Sequence, residues 1–235
     1  MKNYTKVLAV ALSVSTVMSM AGCSLFNSSK LAPKNLSSYA SSQDAEFYED
    51  IDDFTDLMDE LNDASSQDDA MKKIKDGVYI NLEGKDVKTY FKNSNFGGTT
   101  YSVFEYDKTM TSATVYYLGN SKSEKKTMFS ALAIEFETAE DAEEYFENCS
   151  EGVEDGFGQL GELMDTDTDD GEENNIAYFL GAATYGSTTS VYEGLYQQGR
   201  YVLIVMSADI NGTSKGEDKI IEFCEEFGLA DPTDF

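Results

Sequence analysis

The sequence contains no histidine and no tryptophan, one arginine (Arg200), two prolines and three cysteines in 235 residues. Without histidine the commonest general base is missing, and so are Ser-His and Cys-His nucleophile pairs and every His-ligated metal site. Three cysteines, Cys23, Cys149 and Cys224, are too few for a four-cysteine zinc site and too far apart for a Cys-x-x-Cys redox pair. Positive charge is scarce as well: 17 Lys+Arg stand against 44 Asp+Glu, a net charge of −27. A phosphate backbone is gripped by clustered Lys and Arg, so nucleic acid is excluded as a partner, and anionic lipid headgroups repel the same surface. Long apolar runs are absent except Val7 to Met20, 14 uncharged residues, shorter than the roughly 20 that a spanning helix needs.

That run has a meaning in its context. Lys2 and Lys6 are the only charges before Cys23, and the order of basic start, apolar stretch and small residues is that of a secretory signal. The stretch closes on Met20-Ala21-Gly22-Cys23, which resembles the lipobox of bacterial lipoproteins, with Met20 where that family usually has Leu. The resemblance covers residues 1 to about 24. It implies a diacylglycerol on the Cys23 thiol, cleavage just before it, and an extracytoplasmic protein held at a membrane through lipid. Two acyl chains, at about 0.8 kcal/mol per buried CH2, make such an anchor firm. Removing residues 1–22 leaves 15 Lys+Arg against 44 Asp+Glu, a net −29.

A hydrophobic content of 41% with 12% aromatics is that of a folded body, in contrast to the low hydrophobicity of disordered acidic chains. The expected organisation is a signal peptide over 1–22, a lipidated Ser-rich tether over 23–42, acidic helices over 43–76 and an α+β body over 77–235. Residues 44–63 hold ten acids in twenty, and Phe47, Ile51, Phe54, Met58 and Leu61 at spacings of 4, 3, 4 and 3 predict one apolar stripe on an anionic helix. A short helix follows Ser66, with Ala70, Met71 and Ile74 inward, and Gly77 ends it.

The body reads as two similar units of a hairpin followed by a helix, over 99–152 and 176–230. In the first, strands over Thr99–Asp107, Ser112–Leu118 and Met128–Phe136 lead to a helix capped by Thr138, with Ala142, Tyr145, Phe146 and Cys149 at i, i+3, i+4 and i+7 and Gly152 after its last turn. In the second, strands over 176–183, 190–197 and 201–208 lead to a helix with Ser214-x-x-Glu217 as capping box and Ile220, Phe223, Cys224 and Phe227 in the same spacing. The expected fold is an antiparallel sheet with helices packed on one face.

No basic residue stands between Lys126 and Arg200, where eighteen acids do. Within that stretch Asp165, Asp167 and Asp169 alternate like the opening of an EF-hand loop, which makes them Ca2+ candidates. The positions expected to hold Gly and the bidentate Glu hold Asp170 and Ile176 instead, so a solvated acidic loop is the competing reading. Cys149 and Cys224 face inward on two similar helices and form a disulfide if those helices are neighbours; otherwise they are buried thiols. Ser123-x-x-Lys126 has a nucleophile-pair spacing without its companion motifs. Carboxylate pairs such as Glu143 and Glu147 are compatible with acid-base chemistry or with a solvated helix face. Tyrosines crowd the strands, Tyr116, Tyr117, Tyr196 and Tyr201 among them, fit to grip a glycan or peptide or simply to pack.

These residues point to a non-enzymatic binding module whose anionic face meets a basic protein, a cationic peptide or a divalent cation. Two other classes stand beside it: an accessory subunit of a membrane complex, in which the Phe47–Leu61 stripe docks on a partner, and a hydrolase built on paired carboxylates.

Overall fold

A computed structural model of the chain describes residues 29–63, 66–93, 105–122, 125–186, 188–212 and 215–234. The signal segment and Cys23 lie outside them, as do Ser123, Ser214 and most of the strand expected over Thr99–Asp107. Contacts divide the chain into Met1–Lys30 and Leu31–Phe235. Every described helix and strand belongs to the second unit.

The order is α1 (Pro33–Ser42), β1 (Glu46–Tyr48), α2 (Ile51–Asn62), α3 (Gln67–Lys73), β2 (Val78–Glu83), α4 (Lys85–Asn93), β3 (Met110–Lys122), β4 (Lys125–Phe136), α5 (Ala139–Leu160), β5 (Asp165–Glu173), β6 (Ile176–Tyr185), β7 (Thr189–Gln198), β8 (Tyr201–Ile210) and α6 (Lys215–Phe227). The strands form one sheet in the order β1-β2-β3-β4-β8-β7-β6-β5. All neighbours are antiparallel except β1 with β2. The α+β class and the mainly antiparallel sheet are as the sequence predicts. Among the described residues no helix is long and apolar enough to cross a membrane.

The helices cover both faces of this sheet instead of one. Alternate residues of a strand point to opposite faces. On β4, Leu132, Ile134 and Phe136 join one core, with α2, α3, α4 and α5. Phe129, Ala131 and Ala133 join the other, with α1 and α6. The two hairpin-then-helix units therefore share an order of elements but send α5 and α6 to opposite sides. Small Ala131 and Ala133 mark the face where α1 and α6 lie close to the strand. Tyr39 of α1 packs edge-on against Phe223 at 5.0 Å, which stacks on Phe227 at 4.4 Å.

Four further expectations change. The tether over 23–42 ends early, because Pro33–Ser42 is a helix whose Leu36 and Ala40 are fully buried. The acidic helix begins at Ile51, where the Asp50 side chain accepts from the Asp52 N–H at 2.8 Å, so Phe47 lies on β1, outside the helical stripe. The first long helix runs through Gly152 to Leu160, since Val153, Gly156 and Phe157 are buried on its inner face and their packing outweighs the roughly 1 kcal/mol that a helical glycine costs. Finally, the acidic loop over 165–173 is the edge strand β5, joined to β6 by Asn174 and Asn175, whose φ values of 55° and 61° suit a two-residue hairpin turn.

Candidate functional site

β1 is three residues long and ends the sheet, so among the described residues no strand lies along its outer side. Between it and α2 opens a groove of about 510 Å3. Asp53, Asp56 and Glu60, at i, i+3 and i+7, form one stripe of α2 along it, while Phe54, Leu57, Met58 and Leu61 point into the core. Glu46, Glu49 and Asp50 complete a ring of six carboxylates, against which stands one ammonium, Lys73, bonded to Glu60. That hydrogen bond holds the Lys73 pKa above its usual value.

The floor on the α2 side is half-buried Tyr48, which meets Phe54 at 5.5 Å, whereas Phe47, 46% exposed, turns its ring to the opposite face of the sheet, 5.2 Å from Tyr79. Burial, and next the neighbouring Glu46, push the Tyr48 phenol up. Carboxylates lining a groove with a half-buried aromatic ring, and a further exposed ring on the outer edge of the same strand, suit a ligand that is cationic and carries some apolar surface.

Sequence reasoning reads Phe47 as core. The signal for its true place is Asp50, a helix-capping residue between Tyr48 and the first helical turn. The rest of the stripe is buried on its own sheet, so it offers no face for docking on a complex.

Asp165, Asp167 and Asp169 are not drawn together. They alternate along extended β5, where residues two apart are separated by roughly 7 Å. Asp169 accepts from the Tyr178 hydroxyl at 3.4 Å. Among the described residues no three His, Cys, Asp or Glu side chains are grouped so as to hold a metal ion.

Cys149 and Cys224 are buried in the cores on opposite faces of the sheet, so no disulfide joins them. Burial pushes each thiol up to about 12, which leaves both protonated and unreactive. Lys126 donates to Gln67 Oε1 at 2.6 Å and pairs with Asp68 at 3.2 Å. Tyr116, Tyr117 and Tyr196 are core residues.

A carboxyl group with a shifted pKa does exist, at Glu193 on β7. It faces the α5 side, between the cross-strand partners Gly181 and Met206, with Phe157 of α5 lying over Gly181. Its Oε1 is buried without a hydrogen-bond partner, and burial alone pushes the carboxyl up to about 8, so it is neutral at pH 7. Glu143 and Glu147 stand exposed on α5. The pairing of a raised carboxyl with an ionised partner in one pocket, which glycoside hydrolysis requires, is not formed by these groups.

No family model matches the chain, and no curated protein matches it in sequence. Among solved structures it is similar to the extracellular domain of PknH from Mycobacterium tuberculosis, with a TM-score of 0.37 and 9% identity over 74% of this chain and 96% of that one.

Proposed function

We propose that this protein is a lipoprotein of the bacterial envelope, acylated on Cys23, whose folded unit is a binding module for a cationic segment of another protein. The observation that carries the binding reading is the groove beside β1: six carboxylates around half-buried Tyr48 at a sheet end, with exposed Phe47 on the outer edge of the same strand. Charge of one sign draws the partner in, and desolvated aromatic surface supplies the contact that holds it. The anchor rests on Met20-Ala21-Gly22-Cys23 and the signal before it. Seven residues lie between Cys23 and Leu31, so a lipid on Cys23 would tether the folded unit by a short stretch of chain. The partner is then met close to the membrane surface.

The test uses the native product recovered from cell membranes and placed in zwitterionic lipid nanodiscs. Mass spectrometry of its amino-terminal peptide reports the lipid on Cys23. Fluorescence anisotropy with a peptide of alternating Lys and Val reports the groove. The expected result is an acylated cysteine and binding that weakens steeply with salt and is lost in Phe47→Asp. A bare amino terminus removes the anchor. Peptide binding that is indifferent to salt, or equally strong in Phe47→Asp, removes the groove.

A further inference from the structure

A second groove, of about 610 Å3, lies on the α1 side of the sheet and is built from the ends of four strands. Cross-strand pairing sets Glu83, Ser112, Glu135 and Tyr201 in one row across β2, β3, β4 and β8, with Asn81 and Thr114 in a second. On the same face, further along these strands, the positions are Tyr79, Tyr116, Ala131, Ala133, Leu203 and Val205, all buried under α1 and α6. The sheet thus turns from apolar to polar at one end, and the first turns of α1 form the groove's wall there.

The polar groups are held in place by one another. Thr114 donates to Asn81 Oδ1 at 2.8 Å, and Asn81 Nδ2 donates to Ser37 of α1 at 3.1 Å. Ser112 donates to Glu135 at 2.9 Å, and the other oxygen of Glu135 pairs with Arg200 at 2.5 Å. The Arg200 guanidinium also lies 5.6 Å from the centre of the Tyr201 ring. Side chains fixed this way keep unused capacity of both kinds: the second amide N–H of Asn81, the remaining N–H groups of Arg200, and the spare lone pairs of Glu135 and the hydroxyls. In a chain of net charge −27 the charges lining this groove cancel, Lys34 and Arg200 against Glu83 and Glu135.

We infer that this groove binds a neutral sugar unit of a glycan. Donors and acceptors interleaved at fixed positions match a rim of hydroxyl groups, half-buried Tyr201 offers a surface for the apolar C–H face of a pyranose, and the cancelled charge leaves no preference for an ion. The inference stands on different residues from the acidic groove and holds or fails separately from it.

The experiment is calorimetric titration of the full protein in zwitterionic lipid nanodiscs with three trisaccharides: maltotriose, tri-N-acetylchitotriose and the anionic trigalacturonic acid. Heat of binding is expected with at least one neutral sugar and none with trigalacturonic acid. Tyr201→Leu and Asn81→Leu are each expected to weaken the interaction about tenfold or more, with Arg200→Gln as a third variant on an exposed side chain should either of the first two lose its fold. Lys73→Gln, in the other groove, should leave it unchanged. Silence with both neutral sugars, equal binding of the anionic one, or affinity retained in the folded variants overturns the inference.

Discussion

The two edge strands of the sheet are guarded in opposite ways. β5 spans nine residues, of which Asp165, Asp167, Asp169, Asp170, Glu172 and Glu173 are acidic and exposed. β1 spans three, is closed over by the acidic face of α2, and displays Phe47. An unpaired edge is a template for another strand, and a long one is kept apart from other chains by charge whereas a very short one offers little to pair with. Acid is present at both edges; at β1 it lines a groove between the strand and α2. Charge along the extended β5 reads as protection, and charge lining a groove at β1 reads as recognition.

The largest expected effect comes from stripping the protected edge. With Asp165, Asp167, Asp169 and Asp170 all changed to Thr, a residue suited to strands, β5 loses four of its six charges and keeps only Glu172 and Glu173 at its turn end. Sedimentation velocity should then show mass rising with concentration where the parent shows none; an unchanged profile would mean that the acids are not what keeps that edge apart.

Further in from β5, Glu193 gives the next effect. Its folded-state pKa lies above that of the unfolded chain, so the stability associated with its neutral form is complete below about pH 4.5 and is lost as pH rises toward about 8. Glu193→Gln should therefore flatten the decline in melting temperature between pH 5 and pH 8 and raise stability at pH 8 by something on the order of a few kcal/mol. Parallel pH profiles for parent and variant would show that the carboxyl is not held neutral.

Gly181→Ala should cost about 1–3 kcal/mol in urea denaturation, because a Cβ there would stand 2.5 Å from the Phe157 ring that seats α5 on this half of the sheet. The smallest effect lies at the β1 edge. Lys73 and Glu60 are exposed, so Lys73→Gln should leave stability nearly unchanged, yet it removes the one cation of the groove and should tighten the Lys-Val peptide severalfold. A weakened interaction would mean that Lys73 is a contact and not a competitor.

Much of the fold is legible in the residues because burial imposes a period. The i, i+3, i+4, i+7 positions of α5 and α6 are the buried ones, and Thr138 caps α5 through a reciprocal pair of bonds with Asp141. Other parts are written less plainly. In α1 the polar stretch Pro33–Ser42 has only Leu36, Tyr39 and Ala40 as its apolar stripe, too few to stand out from a Ser-rich linker. β5 has the composition of a solvated loop and becomes a strand through its partner β6 and the Asn174-Asn175 turn, an available but unused signal.

The side taken by α6 follows from its connection, where Asn211 and Gly212 adopt positive φ and Asp209 reaches from β8 to accept the Gly216 N–H at 2.8 Å. Gly216 is required there, since a Cβ would stand 2.4 Å from Ser207 Oγ. One clue to two covered faces was present: β8 is apolar at nearly every position from Tyr201 to Met206, and a strand with no polar face has no side left for water. The groove at β1 was hidden because Phe47 falls in phase with the α2 stripe although the helix has not yet begun.

If β1, and not acid in general, receives a cationic segment, amide hydrogen exchange on the full protein in nanodiscs, with and without the Lys-Val peptide, will locate it. Slowed exchange is expected at Glu46–Tyr48 and the first turn of α2, with Asp165–Glu173 unchanged. Protection spread over β5, or appearing there and not at β1, would contradict it.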